Sequence, residues 1–133
     1  AASDLQGVAA ARAARHQGLT PGRDLFISAL NATPEALDAV LNDEFTALAG
    51  GHHMAGAWAM VLLYDYHHGV DFLDTEGAAE LEFSMFSLLD KAAAARLVER
   101  REKNGRVDFC QFSRVCTPGL QHYDFSYARW LDI

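Results

Sequence analysis

Cysteine is scarce in this chain, and its scarcity limits how the fold can be stabilised. Only two cysteines, Cys110 and Cys116, occur among 133 residues. Two cysteines cannot form the disulfide framework on which many small secreted domains depend. Half of the residues are hydrophobic, which is enough to build a core in a chain of this length. We therefore expect core packing, rather than crosslinks, to stabilise the fold.

Long hydrophobic runs and an excess of positive charge are also missing. The longest strongly apolar run covers residues 54–64, whereas a bilayer-spanning helix needs about 20 residues. We therefore expect no membrane span. The net charge of −7 argues against a surface that binds nucleic acid. The sequence begins with small residues rather than methionine, so a cytoplasmic protein and one exported after signal cleavage both stay open.

Helical signals dominate the sequence and predict an all-α fold. Ser3 or Asp4 can cap a first helix, and Gly18 can end it. Thr33-Pro34-Glu35 is typical of a helix start, and apolar residues continue at helical spacing as far as Leu48. Asp90 either interrupts a later helix or starts another. The predicted helices cover residues 4–17, 34–49, 54–66, 75–89 and 91–104.

The expected architecture is an irregular bundle of about five helices around a buried central helix at 54–66. That segment is apolar nearly all round, which is typical of a helix enclosed by others. Residues 24–30 are either helical or extended. After residue 105 the pattern loses its period and becomes rich in aromatic residues, which must pack on the domain or on a partner. We predict a single helical domain over 1–133, with a core at about 3–104 and an irregular, aromatic-rich tail at about 105–133.

Two histidine pairs flank the predicted central helix and suggest a metal or haem site. Imidazole is the commonest metal ligand, but on one straight helix the pairs would lie about 22 Å apart, too far to share an ion. Asp65 lies three residues before His68 and on the same helical face, an acid-x-x-His step that metal-binding helical bundles use. The predicted ligands are Asp65, His67, His68, His52 and His53, with Glu80, Glu82 or Glu44 as further oxygen donors.

The same histidines also have a structural interpretation. His52 and His53 can begin a helix after the two preceding glycines. At the other end, protonated imidazoles of His67 and His68 would meet the negative end of the helix dipole. A role in proton transfer is a third alternative. The sequence alone does not choose among them.

Cys110 and Cys116 allow several interpretations because only five residues separate them. They can be free and buried, they can form a disulfide, or they can bind a metal, although metal pairs more often have the spacing C-x-x-C. A cysteine nucleophile would need a nearby base, for which His122 oriented by Asp124 is the available pair.

The segment HYDFSYARW near the C-terminus has the composition of a binding interface. Tyrosine, tryptophan and arginine are enriched at interface hot spots, and alternation along 123–130 allows a short extended strip. The alternative is a tail that folds back over its own helices. The predicted partner interface consists of His122, Tyr123, Phe125, Tyr127, Arg129 and Trp130.

Two functional hypotheses follow. The order of Trp58, Cys116, Pro118-Gly119 and Trp130 resembles the small helical subunit of membrane-associated flavin sugar dehydrogenases, although the resemblance assigns no residue a role. The sequence also lacks a phosphate loop, a nucleophile elbow and a zinc-protease motif. The first hypothesis is therefore a small, non-catalytic helical subunit or interaction module of a larger complex, for which an oxidoreductase is the candidate, with a larger protein as partner. The second is a helical protein that binds a transition metal or haem.

Overall fold

The computed structural model describes residues 1–72, 81–103 and 106–132. Within these ranges the chain forms five α-helices, three short strands and two short 3-10 helices. The 3-10 helices are His52–Met54 and Phe109–Phe112. The α-helices are α1 (Asp4–His16), α2 (Pro34–Leu41), α3 (Ala55–His67), α4 (Lys91–Glu102) and α5 (Tyr127–Asp132).

The three strands form one mixed sheet, so the prediction of an all-α fold is wrong. They are β1 (Ser28–Leu30), β2 (Ala47–Gly50) and β3 (Ser87–Leu88), in the order β1-β2-β3. β1 pairs with β2 in parallel, and β3 pairs with β2 in antiparallel orientation. Strands this short contain too few residues to show an alternating pattern, and for this reason the sequence did not indicate them.

The helix predicted over 34–49 is wrong in its second half. α2 ends at Leu41, and the chain then turns through Asp43, whose φ of 59° is left-handed. Phe45 and Leu48 are buried, but Leu48 lies on β2. Their helical spacing is therefore a coincidence of a turn followed by a strand. Of the helix predicted over 75–89, residues 75–80 lie outside the described residues, 81–86 are not helical, and 87–88 form β3.

The prediction of a central helix buried on all sides is also wrong. α3 buries Trp58, Val61 and Asp65, whereas the side chains of Met60 and Leu63 are 65% and 50% exposed. The core lies on one side of α3 only. Hydrophobic residues all round a helix therefore did not mean burial all round in this chain.

The aromatic residues of the C-terminal segment complete the core. Phe125 stacks on Trp58 with ring centroids 5.0 Å apart and planes within 3°, and Phe112 lies 4.7 Å from the same indole. Tyr127 and Trp130 stack on each other at 4.9 Å within α5. The segment therefore folds back over its own domain, and residues 127–130 are helical rather than extended.

None of the helices in the described part of the chain combines the length and hydropathy that a membrane crossing requires. This agrees with the expectation from the sequence.

Candidate functional site at the carboxyl edge of the sheet

The parallel strands β1 and β2 end at the same edge of the sheet, which we call the carboxyl edge. Asn31 follows β1, and its amide donates to the carbonyl oxygen of Ala49 at 2.9 Å. Gly51 and His52 follow β2. Ligands of parallel α/β sheets characteristically bind in the crevice at this edge. The carboxyl edge comprises residues 31–33, 51–53 and 85–86, the last of which lead into antiparallel β3.

Gly51 allows the three segments of the carboxyl edge to approach closely. Its φ of 126° lies in a region that side chains rarely adopt. A Cβ atom here would overlap the carbonyl oxygen of Met85 and lie 3.1 Å from Cγ of Tyr127. Only glycine therefore lets the chain leave β2 between β3 and α5.

His52 brings to this edge a ring nitrogen that has no hydrogen-bond partner among the described residues. Its ring stacks on Phe86, with centroids 5.0 Å apart and planes inclined by 22°. Its Nδ1 atom is buried and has no hydrogen-bond partner within the described residues. The Phe86 side chain remains 51% exposed. The pair thus combines an open aromatic surface with an imidazole that lacks a partner, and such a group calls for an explanation.

Further polar groups without partners belong to the two aromatic residues whose rings contact His53. Its ring meets Tyr127 and Trp130 edge-on, at centroid distances of 5.7 and 6.2 Å. The Tyr127 hydroxyl and the Trp130 Nε1 are buried, and neither is hydrogen-bonded to a described residue. Burial raises the pKa of Tyr127 to about 12, although the charge of Arg101 opposes the shift. Desolvation lowers the pKa of His53, and the charges of His52 and Arg101 lower it further.

Asp4 holds the β1 end of the site in place. Its buried carboxylate accepts the Thr33 amide at 2.8 Å and the Asn31 side-chain amide at 3.3 Å. Burial alone would raise the pKa of Asp4, but these hydrogen bonds, with that from Leu5, lower it overall. The carboxylate is therefore ionised at neutral pH and fixes the loop that begins α2.

Asp65, the central residue of the predicted metal site, is instead occupied by hydrogen bonds. It is fully buried and accepts from the Ser113 hydroxyl, the Arg114 amide at 2.7 Å and the Tyr123 hydroxyl at 2.9 Å. Burial raises the pKa of Asp65, but these bonds and a longer one from Val115 outweigh it, so the pKa is lowered. Asp65 therefore fastens a distant loop to α3.

The other predicted ligands do not converge on Asp65. His67 and His68 are exposed at the end of α3, and His68 Nδ1 lies 2.7 Å from the carbonyl oxygen of Tyr64. Glu82 is exposed, and Glu80 lies outside the described residues. Glu44 pairs with Arg15. Across 1–72, 81–103 and 106–132, no three histidine, cysteine or acidic side chains are arranged to hold a metal ion.

Cys110 and Cys116 form a disulfide, with Cα atoms 5.2 Å apart. The disulfide closes a loop that contains Ser113 and the backbone amides of Arg114 and Val115, all of which donate to Asp65. Between this loop and α3 lies an open groove of about 540 Å³. The groove is lined by Ala57, Met60, Val61, Tyr64, Phe109, Cys110, Ser113 and Cys116.

The residues predicted to contact a partner mostly contact this chain. Phe125, Tyr127 and Trp130 are buried in the core. Tyr123 binds Asp65, and the Arg129 guanidinium lies 5.3 Å from the Phe112 ring centroid. His122 is exposed. The buried rings therefore serve the core of the domain.

Sequence reasoning identified His52 and His53 but missed Asn31, Phe86 and Arg101 at the same edge. The available signal was the sequence Asn31-Ala-Thr-Pro, in which a short apolar segment meets a helix start. Such a junction is typical of a strand that feeds a helix in an α/β unit. Phe86 gave no signal, because its position depends on the pairing of β3.

Three solved structures are similar to this chain, while no protein-family model and no curated protein matches it. A periplasmic sugar-binding protein from Pseudomonas fluorescens is 34% identical, with a TM-score of 0.84 over 98% of this chain. A Mycobacterium smegmatis structure is 22% identical, with a TM-score of 0.55 over 77% of this chain. A second structure from the same organism, in complex with beta-D-fucofuranose, is 21% identical, with a TM-score of 0.56 over 77% of this chain. At these identities the two structures show the fold alone. The chain spans 40% of the Pseudomonas protein and 33% and 32% of the other two.

These similarities correct both functional hypotheses drawn from the sequence. The Pseudomonas protein is described as sugar-binding, and none of the three structures is described as a subunit of an oxidoreductase or as a metal protein. The hypothesis of a helical accessory subunit or interaction module is therefore wrong. The hypothesis of a metal- or haem-binding helical protein is wrong as well, in agreement with the scattered placement of its ligands. Both hypotheses assumed the all-α fold that the sheet contradicts.

Proposed function

We propose that this protein binds a sugar at the carboxyl edge of its sheet. The observation that carries the proposal is the pair formed by His52 and Phe86, an imidazole without a hydrogen-bond partner beside a half-exposed aromatic ring. The similarity to a periplasmic sugar-binding protein over 98% of this chain supports it.

The chemistry of the edge suits a sugar. A sugar ring presents apolar C–H groups on its faces and hydroxyls around its rim. Small-molecule sites combine aromatic surface with a few fixed polar groups, and Phe86 and His52 supply one of each. Asn31 donates one amide hydrogen to Asp4, and its side-chain oxygen can accept a hydrogen bond from a hydroxyl.

The site is also held in position before a ligand arrives. Asp4 fixes the loop that carries Asn31, and Gly51 fixes the path of the chain into His52. Binding groups that are already ordered lose less conformational entropy when a ligand binds. The carboxyl edge therefore has the preorganisation that a specific site needs.

Calorimetric titration with a panel of pentoses and hexoses, neutral and charged, tests the proposal. We expect at least one sugar to bind, and the His52→Ala variant to bind it about tenfold more weakly or worse, because a hydrogen bond to the ligand is lost. Phe86→Ala should weaken binding as well. His67→Ala is the matched control, since it removes an exposed histidine from the far end of α3.

Two results would count against a sugar site at this edge. One is wild-type protein that binds no member of the panel, charged sugars included. The other is a sugar whose affinity falls equally in His52→Ala and His67→Ala. Melting temperatures of all variants, measured alongside, separate lost binding from lost folding.

A further inference from the structure

We infer that the sugar bound at the carboxyl edge is anionic, a sugar acid or a sugar phosphate, and that Arg101 binds its negative group. This inference rests on the proposed function and adds the class of ligand to it. It is carried by the position of a charged guanidinium at the end of β1, in a chain that is otherwise strongly acidic.

Arg101 reaches the carboxyl edge from the last turn of α4. One of its terminal nitrogens donates to the carbonyl oxygen of Ala32 at 2.7 Å. Ala32 directly follows Asn31, so this bond places the guanidinium at the end of β1. The charge of Arg101 also acts on His53 and Tyr127. Arg101 therefore lies at the end of β1, near enough to His53 and Tyr127 for its charge to lower their pKa values.

The guanidinium retains most of its binding capacity in this position. Arginine carries five N–H donors in a planar fork, and the bond to Ala32 uses one of them. Arg101 is exposed, and no carboxylate in the described ranges forms an ion pair with it. Asp4, the acid at the start of α1, is buried and already bound to Asn31 and Thr33.

A second arginine precedes Arg101 in the last turn of α4. This residue, Arg100, lies with its guanidinium carbon 4.9 Å from the Trp130 ring centroid. Carboxylate and phosphate oxygens accept bonds from guanidinium groups in a bidentate arrangement. The unused donors of the exposed Arg101 guanidinium therefore suit such an anion better than a neutral hydroxyl.

The test compares charged and neutral sugars on the same protein. Glucuronate and galacturonate represent sugar acids, glucose 6-phosphate represents sugar phosphates, and glucose and galactose are the neutral counterparts. We expect one of the anionic sugars to bind about tenfold or more tightly than its neutral counterpart. The Arg101→Gln variant should lose this preference, and Arg101→Lys should retain part of it.

Lys103→Gln is the matched control, because it removes the same charge from the end of the same helix and should leave the preference intact. The two anionic arms distinguish a sugar acid from a sugar phosphate. Neutral sugars that bind as tightly as every anionic one would overturn the inference and leave the proposed function standing. So would a preference that survives in folded Arg101→Gln. Absence of binding by all the sugars would overturn both.

Discussion

The buried carboxylate of Asp65 should contribute strongly to stability, and Asp65→Asn tests its contribution. The two side chains have nearly the same shape, so the substitution changes hydrogen bonding and charge without opening a cavity. One carboxylate oxygen accepts from the Arg114 amide at 2.7 Å and from the Tyr123 hydroxyl at 2.9 Å. The other accepts from the Ser113 hydroxyl and, weakly, from the Val115 amide at 3.5 Å.

The magnitude follows from the best arrangement that asparagine can adopt. Its oxygen can keep the bonds from Arg114 and Tyr123, while its amide nitrogen must face Ser113 and Val115. Ser113 can turn its hydroxyl to accept, but the Val115 amide then loses its acceptor. The two bonds that remain no longer involve a charge, and bonds to a charged group contribute about 1.5–3 kcal/mol each against about 1 for neutral ones. We therefore expect a loss of about 2–3 kcal/mol.

Urea unfolding at neutral pH, followed by tryptophan fluorescence, measures this loss because Trp58 packs in the same core. Asp38→Asn is the matched control: Asp38 is exposed on α2, and its replacement should change the free energy of unfolding by less than about 0.5 kcal/mol. Equal effects of the two substitutions would refute the assignment of Asp65 as a structural centre.

The difference between wild type and Asp65→Asn should also depend on pH. The pKa of Asp65 is lowered from 3.8 in the folded protein, so the unfolded chain takes up a proton first as the pH falls. The stabilisation is therefore fully present at pH values above the pKa of Asp65 in the unfolded chain. It is lost as the pH falls through the lower pKa of Asp65 in the folded protein. Repeating the unfolding at about pH 3 should give a smaller difference between the two proteins. A difference that grows in acid would contradict an ionised Asp65.

Two further predictions concern the backbone and the disulfide. Gly51→Ala should destabilise the protein by more than about 2 kcal/mol and abolish sugar binding, because the new methyl group overlaps the Met85 carbonyl. Gly56→Ala, which adds a methyl group in open space on α3, should instead stabilise the protein by about 0.5–1 kcal/mol. Thermal melting measures both effects, and equal shifts of the melting temperature would contradict the role of Gly51. Replacing Cys110 and Cys116 by serine should cost about 2 kcal/mol in urea unfolding, the value for a loop of this length, and an unchanged midpoint would show that the loop is held by Asp65 alone.

The starts of α1, α2 and α4 could be predicted from the sequence because a cap is a local feature. The Ser3 hydroxyl accepts the Gln6 amide at 3.4 Å at the start of α1, and Asp90 accepts the Ala93 amide at 2.8 Å at the start of α4. Pro34 begins α2 as its position in the sequence indicated. Each of these features involves residues no more than three positions apart, so no knowledge of the tertiary structure was needed.

The sheet and the candidate site could not be predicted because they depend on distant pairings. Phe86 contacts His52 only because Ser87 pairs with Gly50. Arg101 reaches Ala32 across 69 residues of sequence. The spacing of apolar residues carries no information about such contacts, since it reports the period of a single element. Two histidine pairs therefore drew attention to metal chemistry, while the residues that accompany His52 in space stayed hidden.

Asp4 and Asp65 show why a buried acid is hard to interpret from sequence. Each lies on a helix and accepts backbone amides from a loop remote in the chain, those of Thr33 and Arg114 respectively. A buried carboxylate is costly unless every lone pair finds a donor, and backbone amides supply donors that leave no trace in the residue types. Asp65 beside His68 resembled a ligand pair for this reason. What distinguishes a structural acid from a metal ligand is whether its oxygens are already occupied, and only the folded chain reveals that.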